Sequence, residues 1–256
     1  MAVPRALRIL GLFSLDRPVL SIPTLVSALR ASRATVYRDV RALVEVGLLE
    51  RVDARGYALG TRIVELDRQI RLADPLVQAT GDLAQELAAQ SRGTVLLCRL
   101  TERTVLCILE VVGADGPPVS YQRGRAMPLY RGATSKILLA HVGTERLREL
   151  VASDRDELME AGLPATVDEL YEALAPLRAK GHAVTRGEVD RGVIGMAVPL
   201  LDGPRILGSL SVVLSARTCT QAVERRTLAS LARCARRIEA RMETAREAVR
   251  PRRRIA

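Results

Sequence analysis

Aromatic side chains are nearly missing from this chain of 256 residues, which has no tryptophan, one phenylalanine and five tyrosines. That excludes the stacking platforms on which proteins of single-stranded nucleic acid lay successive bases. Duplex DNA read by a helix needs no such platform. Cysteine is scarce too: Cys98, Cys107, Cys219 and Cys234 show no CxxC spacing, and His141 and His182 lie far apart. No metal site and no disulfide framework is therefore expected. Cys98 and Cys107 fall inside strand-like apolar runs, where a thiol is a small core residue. No apolar run approaches the ~20 residues of a membrane span, and Arg5 and Arg8 interrupt any signal-like start. The expectation is a cytoplasmic protein facing the nucleoid, with no membrane partner. Neither GxGxxG nor GxxxxGK[ST] occurs, so no nucleotide cofactor is implied. No catalytic residues are assigned: His182 and Cys219 have no visible partner, and no Ser-His-Asp order or carboxylate pair stands out.

What is present is basic charge, and it is unevenly placed. Residues 1–60 hold nine arginines against five acids, and residues 221–256 hold eleven arginines against four glutamates. With a net charge of +10 overall, the middle of the chain is close to neutral. A polyanion-binding head, a neutral body and a basic tail fit this distribution.

The head is legible from Ser21 to Gly60. Ser21 is an N-cap candidate, Pro23 suits a first turn, and Leu25, Val26 and Leu29 point inward. On the next helix Val36, Val40, Leu43 and Val44 share one face, while Ala34, Arg38, Arg41 and Glu45 lie opposite, flanked by Thr35 and Tyr37. A helix burying one stripe and offering arginines on the other suits a major groove. After Gly47 an alternating run turns at Asp53-Ala54-Arg55-Gly56, a hairpin with charge near its tip. An opening helix over 4–15, using Leu7, Leu10 and Phe13, completes a winged helix-turn-helix. The solvated-face alternative exists for any arginine-bearing helix, but order, spacing and the glycine-turned wing together favour DNA binding.

The organisation expected is a winged helix-turn-helix over 1–60, a linker helix over 61–74, a body over 75–250 and a basic tail over 251–256. Ile63, Leu66 and Ile70 pattern the linker, and Asp74-Pro75 breaks it. In the body a helix using Leu76, Leu83 and Leu87 is followed by strand runs at 94–100, 104–112 and 119–123. A helix from about Thr134, helical stretches at 144–152 and 167–179, and strands at 182–186, 193–200 and 205–214 come next. Such alternation is an α+β antiparallel sheet flanked by helices, unlike a doubly wound nucleotide fold. The final helix carries Leu228, Leu231, Ala235, Ile238, Met242, Ala245 and Val249 as a seam, for its own sheet or for a second copy.

With these segments in view, the chain resembles the IclR family of bacterial transcriptional regulators. The resemblance rests on RATVYRDVRALVEVGLLERVDARGYALG (33–60), GRAMPLYRGATSKILLAHV (124–142), LRAKGHAVTRGEVDRGVIGMAVPLLD (177–202) and GSLSVVLS (208–215). It implies a winged helix-turn-helix joined by a linker helix to a GAF-like effector-binding domain, acting as a homodimer or homotetramer on operator DNA. It further implies a pocket of Ala133, Thr134, Thr185, Gly195, Ser211 and Val213. Thr185 stands where members that bind small keto acids carry an acid, Gly195 where they carry cysteine, and Val213 where they carry a second serine. A less polar, roomier pocket follows, suited to a small carboxylic acid with an aromatic or branched body. Thr134 and Ser135 could instead cap their helix, Ser211 could satisfy a backbone group, and Lys136 could pair internally or hold a ligand anion. Arg186, Glu188, Asp190 and Arg191 are expected to form a charged loop at the pocket mouth.

The function expected is a ligand-responsive regulator, more a repressor than an activator, on a pseudo-palindromic double-stranded operator. Arg33, Arg51 and Arg55 would hold phosphates. Arg38 and Arg41 would read bases, with Ala34, Thr35 and Tyr37 on the same surface. The alternatives are an architectural DNA binder without ligand control, which a sensor-sized body disfavours, and an α+β enzyme, which the lack of a catalytic set disfavours.

Overall fold

In the computed structural model, which describes residues 4–53, 55–102 and 104–249, the chain divides into two units between Asp74 and Pro75. The first contains α1 (Arg5–Leu10), α2 (Ile22–Leu29), α3 (Arg33–Glu45), β1 (Leu49–Val52), β2 (Gly56–Leu59) and α4 (Arg62–Ala73). Ser21 and Ser32 cap α2 and α3, each accepting with its hydroxyl from the amide three residues on, Thr24 and Thr35. Such a cap satisfies one of the orphan donors of a helix start and stabilises it by about 1 kcal/mol. Ile9, Leu25, Leu29, Val36, Val40, Leu43 and Leu49 form the core of this unit.

Two expectations for this core need correction. The opening helix stops at Leu10, and within it Leu7 is half exposed while Ile9 is fully buried. Val44 also turns outward, because the buried stripe of α3 is only as wide as Val36, Val40 and Leu43.

The wing pairs β1 with β2 in antiparallel register, Arg51 opposite Tyr57, and Leu20 adds a bridge to Tyr57. Gly56 makes that approach possible. Its φ is +141°, and a Cβ there would lie 2.3 Å from the Leu20 carbonyl oxygen. Gly56→Ala should therefore cost the first unit more than about 1 kcal/mol, since alanine is incompatible with that backbone. A thermal melt of the variant checks this.

The second unit contains α5 (Pro75–Ser91), β3 (Thr94–Leu100), β4 (Val105–Val112), β5 (Ala126–Met127), α6 (Ala133–Ala140), α7 (Thr144–Ser153), α8 (Arg155–Glu160), α9 (Val167–Lys180), β6 (Ala183–Arg186), β7 (Val193–Asp202), β8 (Arg205–Ser215) and α10 (Gln221–Val249). Its strands form one antiparallel sheet in the order β5-β4-β3-β8-β7-β6. The fold is α+β, as expected. Leu76, Leu83 and Leu87 of α5 and Leu231 and Ile238 of α10 pack on one side of the sheet, with Val95, Leu97, Met196 and Val212. Leu138, Leu147, Leu150, Leu170 and Leu174 cover the other side, with Leu96, Cys98 and Cys107. A sheet covered on both faces explains why its central strands read as continuous apolar runs.

The seam of α10 is used within its own unit. Leu231, Ala235 and Ile238 are buried in that core, Leu228 and Met242 pack at its edge, and Ala245 is exposed. Arg241 clamps Asp82 at 2.5 and 2.9 Å and Arg237 meets Glu86 at 2.6 Å, tying α10 to α5. The Arg241 guanidinium holds the Asp82 carboxyl down at about 2. The Val249 side chain and the basic tail at 251–256 lie outside the described residues.

Residues 119–123 are not the strand expected of them. Asp190 takes the Ser120 amide and hydroxyl, and Arg123 donates to the Ile108 carbonyl, so these polar groups are satisfied without a ladder. The edge strand of the sheet is the two-residue β5 instead.

Candidate functional site

The first unit exposes one continuous polar helix face. Arg33, Ala34, Tyr37, Arg38 and Arg41 are all exposed on α3, opposite its buried stripe. Arg33 lies over the Tyr37 ring, 5.7 Å from guanidinium to centroid, which orients both side chains along the first turns. Arg5 pairs with Asp39 at 2.7 Å and so fastens α1 to α3. Thr35 is half-buried and its hydroxyl bonds that of Ser32 at 2.8 Å, so it shares in the cap. On the wing Arg51 and Arg55 are exposed, and Arg55 pairs with the exposed Asp53 at 3.7 Å. A pair that exposed contributes little, which leaves Arg55 available to a phosphate.

In the second unit all six residues expected around a pocket line the same cavity. Sheet register explains half of them. Gly195 is opposite Thr185 on β6 and Val213 on β8, so the three form one row facing the α6 side. Ser211 stands one step along β8, opposite Leu96 and Ala197. The fourth wall is the start of α6, where Ala133 and Thr134 follow Gly132. Gly132 has φ +88°, and a Cβ on it would press on the Tyr121 hydroxyl at 2.7 Å. Because Gly195 lacks a side chain, its pocket side faces the Thr185 hydroxyl and the Ala133 methyl at ordinary contact distance.

The donors of this pocket are engaged within the protein. The Thr134 hydroxyl donates to Ser211 Oγ at 3.1 Å, and Ser211 donates onward to the Leu96 carbonyl. The Ala133 amide donates to Thr185 Oγ1 at 3.0 Å. The Gly132 amide donates to Glu188 Oε2 at 3.0 Å, and Lys136 Nζ meets Glu188 Oε1 at 2.6 Å. Lys136 thus pairs internally. Neither Thr134 nor Ser135 caps α6, since Ser135 donates to the Pro128 carbonyl at 2.6 Å and Gly132 holds the cap position.

Five further lining residues escaped sequence reading: Tyr121, Gly132, Gly187, Val189 and Val193. Burial, with the Asp190 carboxylate next in weight, pushes the Tyr121 phenol well above its usual range. The sequence signal near this wall was the loop of Arg186, Glu188, Asp190 and Arg191, expected as charge at the pocket mouth, and Glu188 and Asp190 do line the cavity. With these groups in place the void admits a water-sized sphere over only about 30 Å³. A single water needs about 10–15 Å³ by that measure, so the space left between these side chains is on the scale of a few waters. A wider recess of about 460 Å³ lies beside Asp202 and the end of α10. It is an open, charged surface, bridged by Arg246 and Asp202, and none of the expected residues line it.

Other groups are structural. Cys98 and Cys107 are buried opposite one another on β3 and β4, and burial above all raises the Cys98 thiol. Among the described residues no cluster of three His, Cys, Asp or Glu side chains could hold a metal ion. Among them, too, no helix is long and apolar enough to cross a membrane.

Comparison with known proteins bears on the family and the fold. The profile of the bacterial transcriptional regulator IclR C-terminal domain matches residues 73–240, and that of the IclR helix-turn-helix domain matches residues 2–53. The chain is 27% identical over 214 residues to the HTH-type transcriptional regulator XynR of Escherichia coli K12, covering 82% of this chain and 84% of that one. It is 26% identical over 239 residues to the glycerol operon regulatory protein of Streptomyces coelicolor, covering 92% and 93%. In structure it matches an IclR homolog from Microbacterium hydrocarbonoxydans complexed with 4-hydroxybenzoate. There the TM-score is 0.77, with 22% identity over 94% of this chain and 98% of that one.

Proposed function

The chain belongs to the IclR family of bacterial transcriptional regulators, with a DNA-binding helix-turn-helix unit and an α+β regulatory unit, and from that premise we propose how it reads DNA and what it senses. A dimer lays two copies of α3 in major-groove faces of a pseudo-palindrome, about one helical turn or a multiple apart. Arg38 and Arg41 read bases, while Arg33, Arg51 and Arg55 hold phosphates. The effector is a small carboxylic acid with an aromatic or branched body, and it acts as the release signal of a repressor. The observation that carries this reading is the convergence of Ala133, Thr134, Thr185, Gly195, Ser211 and Val213 on one cavity. The 4-hydroxybenzoate in the Microbacterium relative lends support, because that protein shares the fold. Calorimetry of the full chain with a panel of benzoates, branched acids and short keto acids tests it. Aromatic or branched acids should bind more tightly than pyruvate or glyoxylate. Binding of neutral sugars alone would contradict it.

Two expected outcomes follow from this division of labour. Arg55→Ala should weaken all duplexes about equally and flatten the salt dependence by roughly one unit of slope, since one phosphate contact releases about one counterion. Gel shifts at several salt concentrations measure this. A fragment from residue 75 onward should fold, associate and leave DNA unbound, because the sheet and both helical layers lie within it. Size-exclusion chromatography decides the association, and a strictly monomeric fragment would move the dimer contact to the residues before it.

A further inference from the structure

Glu188 sits where a ligand carboxylate would be expected to sit. One of its oxygens accepts from the Gly132 amide at 3.0 Å and the other meets Lys136 Nζ at 2.6 Å; Gly132 and Glu188 line the cavity, and Lys136, not itself a lining residue, adjoins it through Glu188. The side chains of Glu188 and Lys136 are 32% and 23% exposed, so the pair stands at the mouth rather than in the core. A carboxylate held by an amide and an ammonium has the bonding that a bound acid would need. Glu188 is carried on the short loop between β6 and β7, which begins at Gly187 with φ +64° and ends at Gly192 with φ +76°. The same loop is latched a second time by Asp190, which accepts from the Ser120 amide at 2.9 Å and from its hydroxyl. Its Val189 contributes to the wall, and the void behind it is about 30 Å³.

We infer that the Gly132 amide and Lys136 ammonium are the carboxylate seat of the effector, and that Glu188 is a resident competitor which the effector displaces. This rests on reading the cavity as the effector site. Displacement resolves two observations at once. The cavity is too small for an organic acid while the loop is latched, and it presents the carboxylates of Glu188 and Asp190 to an anion. When the incoming carboxylate takes over Lys136, Glu188 moves to solvent with the loop, and net charge at the seat is unchanged. Because the competitor is tethered, it acts at high effective concentration, so the protein responds only above a threshold of acid. Ligands without an acidic group cannot replace Glu188 and should not open the loop.

The test uses the full chain and 4-hydroxybenzoate and benzoate as probes, with benzamide and benzylamine as controls. Glu188→Gln keeps the shape but removes the anion. It should bind the acids about tenfold or more tightly than the unaltered protein, in line with losing a charge-assisted contact. Asp190→Asn, which loosens the second latch without touching the seat, should shift affinity in the same direction. Lys136→Met should weaken the acids at least tenfold. A readout independent of affinity is tryptic cleavage after the exposed Arg191 within the loop, which the acids should accelerate in the unaltered protein. Acid binding by the Glu188→Gln variant but not by the unaltered chain would also support displacement. Equal or weaker acid binding by Glu188→Gln, with the unaltered protein still binding acids, would overturn displacement and leave the effector site standing. Failure of every form to bind any acid, or preferential binding of benzylamine, would overturn the reading of the site itself.

Discussion

Replacing Arg38 with alanine should weaken specific operator binding by about 1–3 kcal/mol, a factor of roughly 5 to 150, and lower discrimination against scrambled DNA. The same is expected of Arg41→Ala. Both side chains are exposed on the face of α3 opposite Val36, Val40 and Leu43, away from the core. Their loss should therefore leave stability nearly unchanged, since surface substitutions away from special features fall within about 0.5 kcal/mol. That separation matters, because an unfolded head would also fail to bind. Fluorescence anisotropy on specific and scrambled duplexes, paired with a thermal melt, distinguishes the cases. An Arg38→Ala protein that binds its operator as before would remove Arg38 from the reading surface.

Filling the cavity should produce the second large effect. Gly195→Leu is expected to abolish the response to acid and leave operator binding near normal. The backbone there is ordinary, and a Cβ would meet the Thr185 hydroxyl and the Ala133 methyl at 3.4 and 3.6 Å. The added branched end must then occupy the small void itself. Gly195→Ala is the informative control, since one methyl fits at those distances and should reduce the response without eliminating it. Calorimetry with 4-hydroxybenzoate and a gel shift with and without the acid measure both halves. A Gly195→Leu protein that responds like the unaltered one would place the effector elsewhere.

Much of this molecule could be read before its structure. The stripe of α3, the serine caps and the glycine-turned wing follow from periodicity and local hydrogen bonding, which depend on a few neighbouring residues. The row of Thr185, Gly195 and Val213 came from family resemblance, and sheet register then supplied its physical reason. The misses involve tertiary choices. The six residues of α1 span under two turns, too few for periodicity to tell Leu7 from Ile9. Residues 119–123 look like a strand until Asp190, seventy positions away, takes the Ser120 hydrogen bonds. Glu188 reads as part of a charged loop at the pocket mouth, and only the fold shows its partners to be Gly132 and Lys136. Long-range polar pairing leaves no periodic trace in a sequence, and here it joins the loop after β6 to Ser120, Gly132 and Lys136.

Regulation of DNA binding by a small acid is most directly tested by one titration. A duplex selected by the full chain from random sequence is bound in fluorescence anisotropy at fixed salt, with and without saturating 4-hydroxybenzoate or whichever acid calorimetry ranks first. The operator affinity should fall by about 5- to 150-fold in the presence of acid, the span of a coupling of ~1–3 kcal/mol. Identical affinity in both titrations, with the acid demonstrably bound to the protein, would contradict a ligand-controlled regulator.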